Sequence, residues 1–445
     1  MALRLWKAPG PDAGRGLLQR TNQKQMSAPA ARGREAAMPF IMLTVLIDMI
    51  AIGLIIPVLP HLVGSFTSSA TEKTMWFGVV AFSFGIANFF GSPIIGGLSD
   101  RYGRRPVLLV GFCGLALSFF VTAMATALWM LIVVRLFSGA MQSNAAVANA
   151  YVADISTPDQ RAKRFGMLGA MFGLGFILGP AVGGVLGGID VHLPFYAAGV
   201  LALANWLYGY FVLPESLPAE RRRRFEWKRA NPVSSLSGLA QMKGIGLLVA
   251  VVGLAGLAQF TLHMTWVLYT DLKFGWGPRE TGWSLFAVGV MSALVQGVLM
   301  GPLLRRFSPR RLAVLGLLSS TVAFAAWGGA TEGWMMYAVI FANLLGFAGT
   351  AAIQSIISNA ADHSTQGQTM GAVAGLNSLM AVIAPIVGPA LLSVVSHLPR
   401  GDWRIGAPYY FCAVLQGLAT LLAIRHFSSH QAASAAQPAT TPTAP

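Results

Sequence analysis

Gly96-Gly97-Leu98-Ser99-Asp100-Arg101-Tyr102-Gly103-Arg104-Arg105-Pro106 is a charged turn set between two long apolar runs, residues 76–98 and 106–127. A helix needs about 20 mostly apolar residues to cross the hydrocarbon core of a bilayer, and each flanking run has that length. The turn carries too much charge to enter hydrocarbon, so it belongs at a membrane face. Its pattern recurs as Gly301-Pro302-Leu303-Leu304-Arg305-Arg306-Phe307-Ser308-Pro309-Arg310-Arg311, again between apolar runs, 281–303 and 311–330. Glycine, leucine, arginine and aromatic positions coincide; the acid does not. A second echo pairs Gly179-Pro180 with Gly388-Pro389, each inside an apolar run. Landmarks duplicated at one long period point to two similar halves. That is the architecture of secondary transporters, which bind at the interface between repeats.

The remaining apolar runs are 40–62, 129–150, 165–188, 193–213, 245–269, 334–357, 369–395 and 407–425, which makes twelve candidate spans. Composition agrees. Of 445 residues, 55% are hydrophobic and 11% charged, with a mean hydropathy of +0.62. A soluble domain carries roughly a quarter of its residues as charged side chains, so a soluble enzyme with one anchor is excluded. Glycine is abundant, at 50 residues, but follows no G-x-y period, which excludes collagen. The formal charge of +15 would suggest nucleic acid on a soluble protein. Here the expected partners are the lipid bilayer and a small-molecule substrate, with no nucleic acid. Cys113 and Cys412 both lie in apolar runs and read as small hydrophobes.

Orientation follows from the basic residues of short loops, which favour the cytoplasmic side. With the N-terminus inside, the basic clusters at 101–105, 161–164, 221–243 and 305–311 all fall on one face. Only Lys73, Lys273, Arg279, Arg400 and Arg404 fall on the other. The expectation is a multi-pass protein of the inner (plasma) membrane with both termini cytoplasmic. Residues 1–38 read as a basic cytoplasmic tail and 39–213 as the N-terminal six-helix half. Residues 214–244, with Arg221-Arg222-Arg223-Arg224, read as a cytoplasmic linker lying against anionic headgroups. Residues 245–426 form the second six-helix half, and 427–445, rich in Ser, Ala, Thr and Pro, read as a disordered tail.

Four motifs carry a family resemblance. The 96–106 turn resembles the cytoplasmic loop signature of the major facilitator superfamily. Asp48, Ile52-Gly53 and Pro57-Val58-Leu59-Pro60 resemble the first-helix motif of its twelve-helix drug exporters. Arg135 with Gly139 resembles the fourth-helix basic motif. Gly173, Gly175, Gly179-Pro180 and Gly183-Gly184 resemble the fifth-helix motif of antiporters. Tyr151-Val152-Ala153-Asp154-Ile155, Leu213-Pro214-Glu215-Ser216 and Trp266-Val267-Leu268-Tyr269-Thr270 are similar to tetracycline-resistance exporters. The resemblance spans residues 39 to 425. It implies the major facilitator fold, an all-α integral membrane protein of twelve transmembrane helices in two six-helix halves. It also implies proton-driven drug export, working as a monomer.

Asp48 sits about 12 Å into the first span at 1.5 Å per residue. An ionised carboxylate is expensive at that depth, and intramembrane acids are functional by default. Proton coupling, recognition of a cationic substrate and a structural ion pair are the readings open to it. Arg135 keeps its charge, so it must face a cavity, an acid or backbone carbonyls; the resemblance implies a part in proton coupling beside Asp48. Asp100, Arg101, Gly103, Arg104, Arg105 and Asp154 lie at the inner face. There opposite charges at helix ends can latch one half to the other in one conformation, a gate. Gly175, Gly179, Pro180, Gly183 and Gly184 offer a face for close helix approach; the resemblance implies an antiporter seam. Gln142, Asn144, Asn149, Gln259, His263, Gln296, Asn343, Gln354 and Asn377 are polar within spans. They are candidates to line a substrate cavity, or to bond neighbouring helices.

Tetracycline exporters commonly carry further acids in the third and ninth helices. Spacing places Ser118 and Ser320 at those positions, and neither helix holds an acid. A metal-chelate substrate would lose two partners, so the resemblance implies drug export without tying it to tetracycline. No Ser/His/Asp grouping, metal-ligand spacing or phosphate loop occurs, so neither an enzyme nor a metal site is expected. The driving force would be a proton gradient rather than a cofactor. The alternative is an importer or facilitator of a small metabolite on the same fold.

Overall fold

The computed structural model describes residues 38–142, 144–227, 246–360 and 366–435. Among these every regular element is helical, since a backbone in hydrocarbon satisfies its own polar groups only in helices or closed barrels. In chain order the spans are α1 (Met38–Gly64), α2 (Ala70–Tyr102), α3 (Arg104–Ala123), α4 (Leu128–Ile155), α5 (Pro158–Gly187) and α6 (Leu193–Val212). There follow α7 (Gly246–Phe274), α8 (Pro278–Arg306), α9 (Pro309–Gly329), α10 (Gly333–Ala342 continued by Leu344–Ala360), α11 (Gln366–Val395) and α12 (Ala407–Ala435). Eleven are long and apolar enough to span a membrane, and bent α10 makes the twelfth.

Several helices outrun the apolar runs that mark them. α2 has 33 residues, because a helix continues into the polar interface where hydrocarbon ends. The charged turn is therefore mostly helix end: Asp100 and Arg101 close α2, Arg104 opens α3, and Gly103 alone lies between. Nothing after Arg425 breaks a helix at once, and α12 continues to Ala435, past the expected boundary at 426. The basic tail, most of the linker and the last ten residues lie outside the described residues. Breaks in the spans have local causes. Pro57, which lacks an N–H, interrupts α1 at 56–58. α10 bends by 48° where Asn343 departs from helical geometry.

Packing divides the molecule by depth. Away from the 96–106 turn, one apolar cluster runs through both halves, joining Leu54, Phe77 and Phe195 with Trp266, Phe324 and Tyr409. Toward the turn there are two clusters, one around Phe112 and Tyr151 and one around Val295 and Leu312. The halves meet along α2–α11 and α5–α8. Those contacts lie toward the far face: Gly78 against Pro385 and Pro389, and Gly184 against Pro278 and Gly282. At the basic face Gly96, Gly166, Gly169, Gly297 and Gly301 would present a Cβ to open space. The halves are closed at the far face and parted at the basic one.

Candidate functional site

Asp48 lies about 15 Å along α1 from its start at 1.5 Å per residue. It is 4% exposed and forms no hydrogen bond or ion pair with any described residue. A buried carboxyl without a protein partner holds a charge only at high cost, which suits it to take up and release a proton. Arg135, in α4, is also buried, and its Nε and Nη2 are without a partner among the described residues. No bond joins it to Asp48. The polar α4 residue that shares a cavity with Asp48 is instead Asn144, about 13 Å further along the helix axis. Any influence of Arg135 on Asp48 is thus a field across the N-terminal half rather than a contact.

The glycines of α5 bring these elements to the boundary between halves. Gly175, Gly179 and Gly183 recur once per turn and face α1. A Cβ on Gly179 would lie 2.6 Å from Gly53 Cα, and one on Gly53 would lie 3.0 Å from Pro180 Cδ. Gly175 meets Met49, and Gly183 meets Leu54. One step round the helix, Gly184 would place a Cβ 2.6 Å from Pro278 O and 2.8 Å from Gly282 Cα in α8. Small residues permit this approach on both sides. α5 is therefore wedged between the helix that carries Asp48 and a helix of the other half.

At the basic face Arg104 is the hub. Its guanidinium bonds Asp100 at 2.6 Å, Ser99 Oγ at 2.6 Å and Asp154 at 3.0 Å, joining the ends of α2, α3 and α4. Glu215, from the linker, accepts from the backbone N–H groups of Arg104 (2.9 Å) and Arg105 (3.3 Å). α3 has no side-chain cap of its own, and an acid at a helix N-terminus supplies one. Gly103 has φ +107°, and a Cβ there would collide with the Glu215 carboxylate. Both constraints require glycine. Arg105 packs its guanidinium on the Tyr210 ring, and Arg101 lies over Tyr102. The gate expected from sequence is a bond between halves; here these charges pair within the N-terminal half and its linker, because the halves have parted on this side.

The bond between halves lies at the far face. Lys73 Nζ, at the start of α2, is 2.5 Å from Asp271 Oδ2, near the end of α7. Thr71 and Ser396 are hydrogen-bonded at 2.8 Å beside it. Sequence reasoning missed both pairs.

A family model described as the Major Facilitator Superfamily matches residues 41–272 and 247–444. The chain belongs to the major facilitator superfamily. Among its relatives in that superfamily is the class C tetracycline resistance protein of Escherichia coli, 34% identical over 368 residues, which cover 82% of this chain and 92% of the relative. The class D protein of Salmonella ordonez is 33% identical with the same coverage. Multidrug resistance protein 2 of Bacillus subtilis is 28% identical over 82% of this chain and 89% of its own. Among solved structures, a human organic anion transporter superposes with a TM-score of 0.65 at 22% identity, covering 88% of this chain and 99% of that one. A bacterial homologue of the human lysosomal transporter Spinster, in an inward-facing and occupied conformation, gives 0.68 at 13% identity, over 92% and 99%. These two show the fold.

Within this major facilitator fold the polar span residues separate by burial. Gln259, His263, Gln296, Gln354 and Asn149 are exposed; Gln142 and Asn377 are half-buried. Gln259 and His263 bond each other at 3.0 Å across one turn of α7, and Gln296 bonds Ser292 at 2.7 Å on α8. Asn343 is buried and accepts from Ser319 at 2.8 Å, so it serves the bend of α10 rather than a cavity. Asn144 is buried as well. Polarity within a span says that a residue needs a partner, not which face it takes; Asn343 bonds a neighbouring helix, and Asn144 lines the small cavity beside Asp48. Ser118 is buried with its hydroxyl bonded to Leu115 O.

Proposed function

We propose that this protein is a proton-coupled antiporter that exports a drug-like small molecule by alternating access. It would act as a monomer in the inner membrane, with the basic face and both termini cytoplasmic. The observation that carries the reading is a buried, partnerless Asp48 on α1, the helix that packs through Gly53 onto α5 and so onto α8 of the other half. A change of charge at Asp48 is felt at the boundary that must open and close. The state described here, parted at the basic face, is then the inward-facing one. Protonation of Asp48 from outside favours release outward, and loss of the proton inside resets the cycle. The membrane potential contributes about 2.3 kcal/mol per charge per 100 mV.

The relatives named for tetracycline and multidrug resistance support export over uptake. Buried Ser118 and the absence of an acid at Ser320 support a neutral or cationic lipophilic substrate over a metal chelate. The test is substrate-driven proton movement in everted vesicles. Asp48→Asn should abolish it while substrate still binds; coupled export that survives this change would sink the assignment.

A further inference from the structure

Asn144 opens the second segment of α4, just beyond a break in the helix at Gln142. It is 2% exposed, and neither its Oδ1 nor its Nδ2 has a partner among the described residues. Buried carboxamides are nearly always hydrogen-bonded, because leaving one unsatisfied is costly. The packing leaves one direction in which it can bond. On one side Asn144 presses against the backbone of α3 at Gly111, where a Cβ would collide with the carboxamide. On the other lies a cavity with about 10 Å³ of room for the centre of a water molecule. That is the space of one water.

Apolar side chains from four helices, among them Val45, Leu108, Ala148 and Phe172, wall this cavity. Its polar walls are Asp48 and Asn144. Two buried groups, both without protein partners, thus face one water-sized space from different helices. We propose that a single water is held there between the Asp48 carboxyl and the Asn144 carboxamide, making Asn144 a positioning residue for the proton site. The proposal rests on the reading of Asp48 as the proton carrier.

The side chain suits the task, because a carboxamide both donates and accepts. With Asp48 ionised, the water donates to the carboxylate and accepts from Asn144 Nδ2–H. With Asp48 protonated, the carboxyl O–H donates to the water, which still accepts from Asn144 Nδ2–H through its second lone pair. The same three groups remain bonded in both charge states, so the proton can come and go without rearranging the helices. A leucine of similar size would support neither arrangement. A serine keeps one hydroxyl that both donates and accepts.

The experiment is infrared difference spectroscopy on the full chain in lipid, at acid pH where Asp48 is protonated. The carboxyl C=O band of Asp48 is assigned by its loss in Asp48→Asn. Asn144→Leu should move that band to higher wavenumber, the mark of a carboxyl that has lost a hydrogen bond. It should also remove a bound-water O–H band that shifts in H2(18)O. Proton-coupled export should fall about tenfold, the scale of losing a hydrogen bond to a charged group. Asn144→Ser should keep both bands and stay within about threefold of the parent. If Asn144→Leu leaves the bands in place, or if Ser and Leu variants shift alike, the water site is wrong. If Asp48→Asn keeps coupled export while Asn144→Leu still shifts the bands, the coupling assignment fails and the water site stands.

Discussion

Lys73 and Asp271, 198 residues apart in sequence, form an ion pair of 2.5 Å that ties the first half of the molecule to the second. Both side chains are partly exposed, so the pair contributes on the order of 1 kcal/mol or less. Lys73→Ala should therefore shift the balance toward opening at the far face by about fivefold. A cysteine at Thr71, in a chain lacking Cys113 and Cys412, should react faster with an impermeant maleimide applied from that side. Exchanging the two charges, Lys73→Asp with Asp271→Lys, should restore the slower labelling.

The glycine seam predicts a contrast within one helix. Gly179→Ala drives a methyl into the backbone of Gly53 and should cost about 1–3 kcal/mol, read as a lower Tm in detergent. Gly169→Ala, on the same α5 but facing open space, should raise Tm slightly, since alanine is the better helix former by about 0.5–1 kcal/mol. Equal effects would remove the packing argument.

Arg104 predicts a loss of fold, and Glu215 a smaller one. Arg104→Ala removes the partner that Asp100 and Asp154 share, but both acids reach solvent and Asp154 keeps Ser216, so the cost should be about 2 kcal/mol. Glu215→Ala uncaps α3 and should cost about 1 kcal/mol. Arg101→Ala, which breaks only a ring contact at the surface, should fall within about 0.5 kcal/mol of the parent. Thermal unfolding of the three variants ranks them.

The residues at Ser118 and Ser320 predict indifference to divalent metal. Export into vesicles should proceed at the same rate with magnesium present or chelated, since neither helix supplies an acid for a metal-bound substrate. A requirement for magnesium would reopen the chelate reading.

The spans were legible because hydrocarbon thickness and backbone satisfaction leave few options, and an apolar run of about 20 residues declares itself. Asp48 was legible for the same reason, as a charge where charges are expensive. The seam of α5 was legible as a face but not as a junction: Gly53 stands in the first-helix motif and Gly282 in none, and neither shows in the sequence that it meets α5. Pairings across long separations left no trace, and Lys73 and Asp271 read only as charges near helix ends. Glu215 stands in the Leu213-Pro214-Glu215-Ser216 motif, yet its capping of a helix more than a hundred residues earlier depends on the path of the linker. Asn144 shows the limit most directly, for its sequence position says polar and its place in the packing decides toward what.

The apolar cluster that runs through both halves at the far face has a consequence for access from the two sides. To expose the pathway on that side, the molecule must part Phe77 and Phe195 from Trp266 and Tyr409 together with the rest of a shared core, whereas the basic side has no such joint to break. In the state described, access from the far face must first divide a core that both halves share, a cost that access from the basic face does not carry.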